Sequence, residues 1–203
     1  MYLKHVFLDN SLADGEKYAV AFREDQGIKI IAISEVKGSP DYDIAWFSGA
    51  DLPEAVPLPL HQQIVALTDD VFPFEYSSTR IEATGNGRIE VIFEPYAHKG
   101  NITIYTDKSP FAKGRSFLTS FPALQGASGA PLLAGAESKN FAVAGLLLGN
   151  LGRHLIPAQT ITISIGDNEK EEIRCFLPMG MAICASVIGR ELERGGVNFE
   201  YAE

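Results

Sequence analysis

The segment FPALQGASGAPLL, residues 121–133, places a serine between two glycines and ahead of an apolar run. Gly126 and Gly129 allow the backbone to turn sharply and to approach a ligand that side chains would block. The apolar residues that follow favour a strand entering a core. An acyl-transfer nucleophile needs an exposed hydroxyl on a rigid turn, with backbone N–H groups able to hold an oxyanion. Ser128 is therefore a candidate nucleophile, and a purely structural turn is the alternative.

The order of polar residues along the chain separates two classes of serine hydrolase. In an α/β-hydrolase the nucleophile lies in G-x-S-x-G, and the acid and the histidine follow it. Here an alanine replaces the last glycine, and Glu137 is the only acid between Ser128 and the next histidine, His154. In the chymotrypsin-like order, a histidine and then an aspartate precede the serine. His5 and Asp43 stand in that order.

Four segments of the sequence resemble, in order, the landmarks of trypsin-like (chymotrypsin-fold) serine proteases. They are His5-Val6, Asp43-Ile-Ala45, Gly126-Ala-Ser-Gly-Ala-Pro131 and Val143-Ala-Gly-Leu-Leu-Leu-Gly-Asn150. The short spacing from the histidine to the aspartate resembles bacterial HtrA-type members. The resemblance implies a serine endopeptidase that hydrolyses peptide bonds through an acyl-enzyme. It further implies peptide or protein substrates and no metal or organic cofactor.

The resemblance implies a catalytic triad of His5, Asp43 and Ser128. His5 would take the serine proton as general base, and Asp43 would hold the imidazole in the required tautomer. The backbone N–H groups of Gly126 and Ser128 would form the oxyanion hole. No other histidine precedes the aspartate. Asp41, two residues earlier and on the same side of an extended chain, is the alternative acid.

The same resemblance places a pocket for a substrate side chain. Pro122 occupies the base of the family's primary pocket, where trypsin-type members carry an aspartate, so a neutral, small to medium aliphatic side chain is expected there. Leu147, Leu148 and Gly149 match the strand that pairs with the substrate backbone, and Gly180 matches a glycine of the pocket wall. The alternative is that these are ordinary core residues.

The N-terminal segment departs from the family pattern. Members have two strands of the first barrel ahead of the histidine, whereas four residues precede His5. Either the start is truncated, in which case an export signal could be missing with it, or the first barrel is built unusually. The missing strands would leave an incomplete first barrel with an open strand edge and a weakly held histidine. This leaves a second function open, a truncated or inactive protease-fold module that binds peptides or a partner without turnover. A serine esterase of another fold is disfavoured by the residue order.

Composition argues against several other classes of function. With 46% hydrophobic and 21% charged residues, the chain has the composition of a soluble globular protein. Its formal charge of −9 makes nucleic acid and anionic membranes unexpected partners. The sequence shows neither a membrane span nor a signal peptide, so the compartment is unknown and cytoplasmic by default. Cys175 and Cys184 are expected as reduced core thiols, with a single disulfide as the alternative, and no zinc site is indicated.

Hydrophobic periodicity predicts an all-β chain that ends in one helix. Many short strands with a single terminal helix indicate two antiparallel β-barrels of the six-stranded type, of which we expect the first to be incomplete. We place a domain boundary near residue 60. Residues 1–60 would form the partial barrel that carries His5 and Asp43, and residues 61–203 the barrel that carries Ser128, followed by the helix.

Individual elements are predicted from local patterns. In the first domain, strands are predicted over residues 17–22, 28–33 and 42–47. Hairpins are predicted around Gly85-Asn-Gly87 and around the turn 166–168, the latter with its second strand at 172–177. A helix from about 181 to 194 would bury its apolar face and end at Gly195-Gly196.

Overall fold

The computed structural model describes residues 19–24, 27–33, 36–47, 57–77, 79–84, 88–92, 94–108, 113–135, 141–154, 161–165, 169–173 and 176–202. In the first half of the chain the strands are β1 (Ala19–Glu24), β2 (Gly27–Ala32), β3 (Val36–Gly38), β4 (Ala45–Phe47), β5 (Leu60–His61), β6 (Asp70–Glu75), β7 (Arg80–Thr84), β8 (Arg88–Ile92) and β9 (Tyr96–Ala97). In the second half they are β10 (Gly100–Lys108), β11 (Lys113–Thr119), β12 (Pro131–Ala134), β13 (Ala142–His154), β14 (Ile161–Ile165), β15 (Glu169–Ile173), β16 (Phe176–Cys184) and β17 (Tyr201–Ala202). Helix α1 spans Ala185–Arg194.

Six strands form a closed antiparallel barrel in the order β12, β6, β10, β11, β16 and β13. The ring closes at β12, where Leu132 is the register partner of Pro73 in β6 on one side and of Gly145 in β13 on the other. Closure removes free strand edges around the core. Strand β5 extends the sheet by pairing in parallel with β13, and β17 pairs in parallel with β5.

The barrel core is built from alternate residues of these strands, as strand geometry requires. Phe117, Leu132 and Ile183 are each at most 1% exposed. Gly145 lets three of these elements meet, because a Cβ atom there would lie 2.4 Å from the carbonyl oxygen of Ile183 and 2.9 Å from the ring of Phe117. Cys184 is a buried thiol that forms no disulfide with the described residues, and burial raises its pKa to about 12, so it stays protonated. Cys175 lies outside the described residues.

Helix α1 begins four residues later than the periodicity predicts. Met181–Cys184 belongs to β16, where Leu118 of β11 and Gly145 of β13 are register partners from opposite sides. Pairing on both sides of this strand overrides the helical pattern of its apolar residues. The predicted end is confirmed, because the chain leaves the helix at Gly196, whose φ of 70° is typical of a glycine after a helix.

The described N-terminal residues form two hairpins, β1 with β2 and β3 with β4. The three predicted strands are found with shifted ends, and β3 is an additional one. Strand β4 lies between two hydrophobic clusters. Ile44 and Trp46 pack with the core of the closed barrel, whereas Ala45 and Phe47 pack with Ile33. The all-β class with a terminal helix is confirmed. Within the described ranges the N-terminal hairpins do not close a second barrel, and the domain boundary near residue 60 stays a prediction.

Both predicted hairpins occur, one with a different second strand. Strand β7 pairs with β8 from Arg80 to Thr84, and the turn between them lies outside the described residues. Strand β14 pairs with β15, with Ile165 opposite Glu169. The prediction of a strand over 172–177 was wrong, because pairing starts directly after the short turn and Phe176 already begins β16.

One carboxylate of the barrel is buried without a partner. Glu75, at the end of β6, is 2% exposed, and neither of its carboxylate oxygens has a hydrogen-bond partner among the residues that the structure describes. Burial raises the pKa of Glu75 from its ordinary value of 4.5. Because the folded-state pKa is raised, this group favours folding when protonated. That contribution is lost as the pH rises above the ordinary value and through the folded-state pKa.

We expect Glu75→Gln to raise the Tm at neutral pH by about 2–4 °C, the shift that about 1 kcal/mol gives in a domain of this size. The neutral amide cannot ionise, so the variant should also lose less stability than the wild type between acidic and neutral pH. Thermal unfolding at a series of pH values measures both effects. Glu94→Gln is the control, since this exposed carboxylate is paired with Arg80. A Tm of Glu75→Gln at or below that of the wild type at neutral pH would contradict the assignment.

Candidate active site

The turn around Ser128 has the backbone conformation that its glycines were expected to provide. Gly126 and Gly129 both have a φ of 88°, in the left-handed region that disfavours residues with a side chain. Space is not the constraint at Gly126, since a Cβ atom there would meet Ser77 Cα at an ordinary 3.6 Å. The conformation itself therefore requires glycine at this position.

The backbone N–H groups of this turn fall into two sets. Those of Ala127, Gly129 and Ala130 each donate to a backbone carbonyl. Those of Gly126 and Ser128 donate to no other group within the part of the chain that the structure describes. Two unengaged donors on one glycine turn are what an oxyanion hole requires. They are the two donors that the resemblance assigns to that role.

The Ser128 hydroxyl points at the edge of β13. Its Oγ donates to the backbone oxygen of Leu148 at 3.3 Å, a long and weak bond. Leu148 lies at an irregularity of β13, because Leu147 is opposite Ala182 and the next partnered residue, Gly149, is opposite Met181. This bulge turns the Leu148 carbonyl towards the serine.

The edge of β13 that faces the serine turn is paired before this bulge and is not paired with any described strand after it. Before it, the backbone N–H and C=O of Leu147 are both taken by the serine turn, through Ala130 and Gly129. After it, from Gly149 to His154, the only described strand beside β13 is β16. The opposite edge of this stretch is therefore open to a further strand among the described residues.

The segment before the serine is held close to β16 and to β13. Gly180 of β16 donates its N–H to the Phe121 carbonyl at 2.6 Å. A Cβ atom at Gly180 would lie 2.6 Å from Thr119 Oγ1 and 2.8 Å from the Phe121 oxygen, so glycine permits this approach. Pro122, the expected pocket base, is exposed and follows directly. Asn150 of β13 bonds with its side chain to both backbone groups of Ala123.

The turn that carries Asp43 is fixed by Ser39. The fully buried Ser39 hydroxyl accepts the N–H groups of Asp41 and Tyr42 at 3.2 and 3.0 Å. It donates to Glu191 of α1 at 2.5 Å, and Glu191 is itself only 5% exposed. A buried hydroxyl bonded to a carboxylate is among the stronger hydrogen bonds in proteins. The terminal helix thereby holds the turn ahead of Asp43.

The two candidate acids differ in their surroundings. Asp41 accepts a hydrogen bond from Arg194 at the end of α1 at 2.7 Å, and this pair also raises the pKa of the arginine. Asp43 is partly buried and stands next to Ile44, which is fully buried in the core. Asp41 is thus held at the end of the terminal helix, whereas Asp43 lies at the edge of the core.

His5, the predicted base, lies outside the described residues. Of the later histidines, His61 is in β5 and its Nδ1 contacts the Gln63 carbonyl. His98 packs edge-on against Phe121, with 4.4 Å between the ring centroids, and burial lowers the pKa of His98. Its Nδ1 is buried and has no hydrogen-bond partner in the described part of the chain. His98 therefore stays neutral at physiological pH. Its contact with the segment before the serine was not apparent from residue order.

The described residues form neither a metal centre nor a membrane-spanning helix. In the residues that the structure describes, no three His, Cys, Asp or Glu side chains come together as metal ligands. No described helix is long and apolar enough to cross a bilayer.

Solved structures match the fold of this chain, whereas the comparisons of its sequence find no match. No protein-family model and no curated protein matches the sequence. The active form of the Rv3671c protease from M. tuberculosis matches with a TM-score of 0.55 at 18% identity, covering 99% of this chain and 70% of that one. The apo MamO protease domain from Magnetospirillum magneticum matches with a TM-score of 0.54 at 14% identity, covering 93% of this chain and 79% of that one. In a further Rv3671c structure, an inactive form with a TM-score of 0.48 at 18% identity, the match covers 83% of this chain and 66% of that chain. Together with the closed six-stranded barrel and the terminal helix, the matches to the active Rv3671c protease and to the MamO protease domain show that this chain has the fold of the trypsin-like serine proteases.

Proposed function

We propose that this chain is a serine endopeptidase whose nucleophile is Ser128. The observation that carries the proposal is the serine turn itself. Gly126 and Gly129 hold it in the left-handed conformation, its hydroxyl lies beside Leu148, and the N–H groups of Gly126 and Ser128 donate to no described group. On a protease fold, this arrangement supplies a nucleophile and an anion-binding pair of donors at one place.

The proposed reaction runs through an acyl-enzyme. Ser128 Oγ bonds to the peptide carbonyl carbon while His5 takes the serine proton, and Asp43 orients the imidazole. The Gly126 and Ser128 amides stabilise the resulting oxyanion, a role in which removing a single donor costs roughly 3 kcal/mol of barrier. The C–N bond then breaks as His5 returns the proton to the leaving amine. Water, activated by His5, hydrolyses the ester and restores the serine.

The substrate would bind as an added strand. From Gly149 onward the described part of β13 has an open edge, and main-chain hydrogen bonds to such an edge recognise an extended peptide. This supports Gly149 as a backbone partner of the substrate. The carbonyl of Leu148 would lie beside the reacting residue, whereas the buried Leu147 would support the strand from within the core.

We expect a fluorophosphonate probe to label the wild-type protein and to leave Ser128→Ala unlabelled. The probe reacts with serines that are activated by a base and an oxyanion hole, so labelling reports the assembled site. Ser186→Ala is the control, since Ser186 is an exposed serine on α1 and should label like the wild type. A protein that folds and never labels would favour the alternative, a protease-fold module that binds peptides without turnover.

A second experiment separates the two acids. We expect Asp43→Asn to lower kcat by on the order of 10⁴-fold, the effect of replacing a triad aspartate by its amide, with little change in KM. Asp41→Asn removes an exposed ion pair with Arg194, which solvent screens, and should keep kcat within a few-fold. Steady-state kinetics on a peptide substrate gives both values. Equal losses in the two variants would remove Asp43 from the triad.

A further inference from the structure

Asn150 joins the two sides of the cleft beside the serine. Its Oδ1 accepts the N–H of Ala123 at 2.7 Å, and its Nδ2 donates to the carbonyl of Ala123 at 2.8 Å. Both distances are those of well-formed hydrogen bonds. The carboxamide thus satisfies both backbone groups of Ala123, as a neighbouring strand would, although the two residues are 27 positions apart.

The hydrogen bonds between Asn150 and Ala123 join the two chain segments that lie beside Ser128. Ala123 belongs to the segment that leads into the Ser128 turn. Asn150 lies two residues beyond Leu148, whose carbonyl accepts the Ser128 hydroxyl. On the third side, Gly180 is bonded to Phe121. The Asn150 side chain therefore crosses the space between these three segments. It does so on the solvent side, since Asn150 is exposed whereas Ala123 is buried.

A peptide bound along the open edge of β13 would direct alternate side chains to opposite faces of the sheet. We place the residue whose carbonyl faces Ser128 beside Leu148, because the Leu148 carbonyl accepts the Ser128 hydroxyl. In this placement its side chain is directed between the segment at Ala123 and the strand at Asn150. Asn150 already occupies that interval, and a large side chain could enter only if both of its hydrogen bonds broke.

We infer that Asn150 sets the specificity of the proposed peptidase, by restricting the residue on the acyl side of the cleaved bond to glycine or alanine. This inference rests on the proposed function and narrows its substrate class. The expected pocket for small to medium aliphatic side chains is then closed to all but the smallest of them. Asn150 restricts the size of the pocket sterically, because its two hydrogen bonds to Ala123 hold its side chain in place, and it takes no part in the chemical step.

The test measures selectivity, which a general loss of stability would not shift. Peptide substrates of the form Ala-Ala-Xaa with a fluorogenic amide leaving group differ only at Xaa, as alanine, valine or leucine. The wild type should prefer alanine. In Asn150→Ala the ratio of kcat/KM for leucine to that for alanine should rise by about 10–100-fold, the range that hydrophobic pockets give for changes of this size. Asn198→Ala, at an exposed asparagine away from the bridge, should keep the wild-type ratio.

A second variant distinguishes a change in selectivity from a loss of folding. Asn150→Ser keeps a polar side chain that is too short to bond both groups of Ala123, and it should shift the ratio in the same direction. Fluorophosphonate labelling of each variant shows whether the serine site is assembled. Normal labelling with an unchanged ratio, or a wild type that prefers leucine, would overturn the role of Asn150 and leave the peptidase proposal standing. A wild type that neither labels nor cleaves would overturn both.

Discussion

Closure of the barrel at β12 is the constraint on which the rest of the structure depends. This four-residue strand pairs with β6 on one side and with β13 on the other, so its position is fixed from both sides. Pro131 begins it, which suits a residue that has no N–H to donate. The chain must therefore reverse within the few residues ahead of the strand. The left-handed glycines on either side of Ser128 make that reversal, and the serine is presented where the ring closes.

The same constraint explains why two backbone N–H groups of the turn have no acceptor among the described residues. A turn that must pass between two strands uses some of its amides for pairing, as Gly129 does with Leu147. The left-handed residues direct the alternate amides away from the sheet. The N–H groups of Gly126 and Ser128 are thereby left without an acceptor in the described part of the chain. The pairing of β12 on both sides fixes the turn in which these two donors lie.

How far the sequence predicted the structure depends on the range of the interaction concerned. The glycine turn, the hairpin at 80–92 and the end of α1 were predictable because turn chemistry acts over a few residues. The start of α1 was not, because sheet pairing of Met181–Cys184 outweighs an apolar periodicity that suits a helix as well. The Asn150 bridge to Ala123 and the Ser39 bond to Glu191 leave no local pattern, since they join positions 27 and 152 residues apart.

The bond between Ser39 and Glu191 also ties distant parts of the chain to one another. The six barrel strands end before α1 begins, yet the turn ahead of Asp43 takes its anchor from Glu191 in the last turn of that helix. All six strands of the barrel are therefore synthesised before Glu191, which anchors the Ser39 turn. In a chain emerging from the ribosome, the turn ahead of Asp43 gains this anchor only when α1 docks.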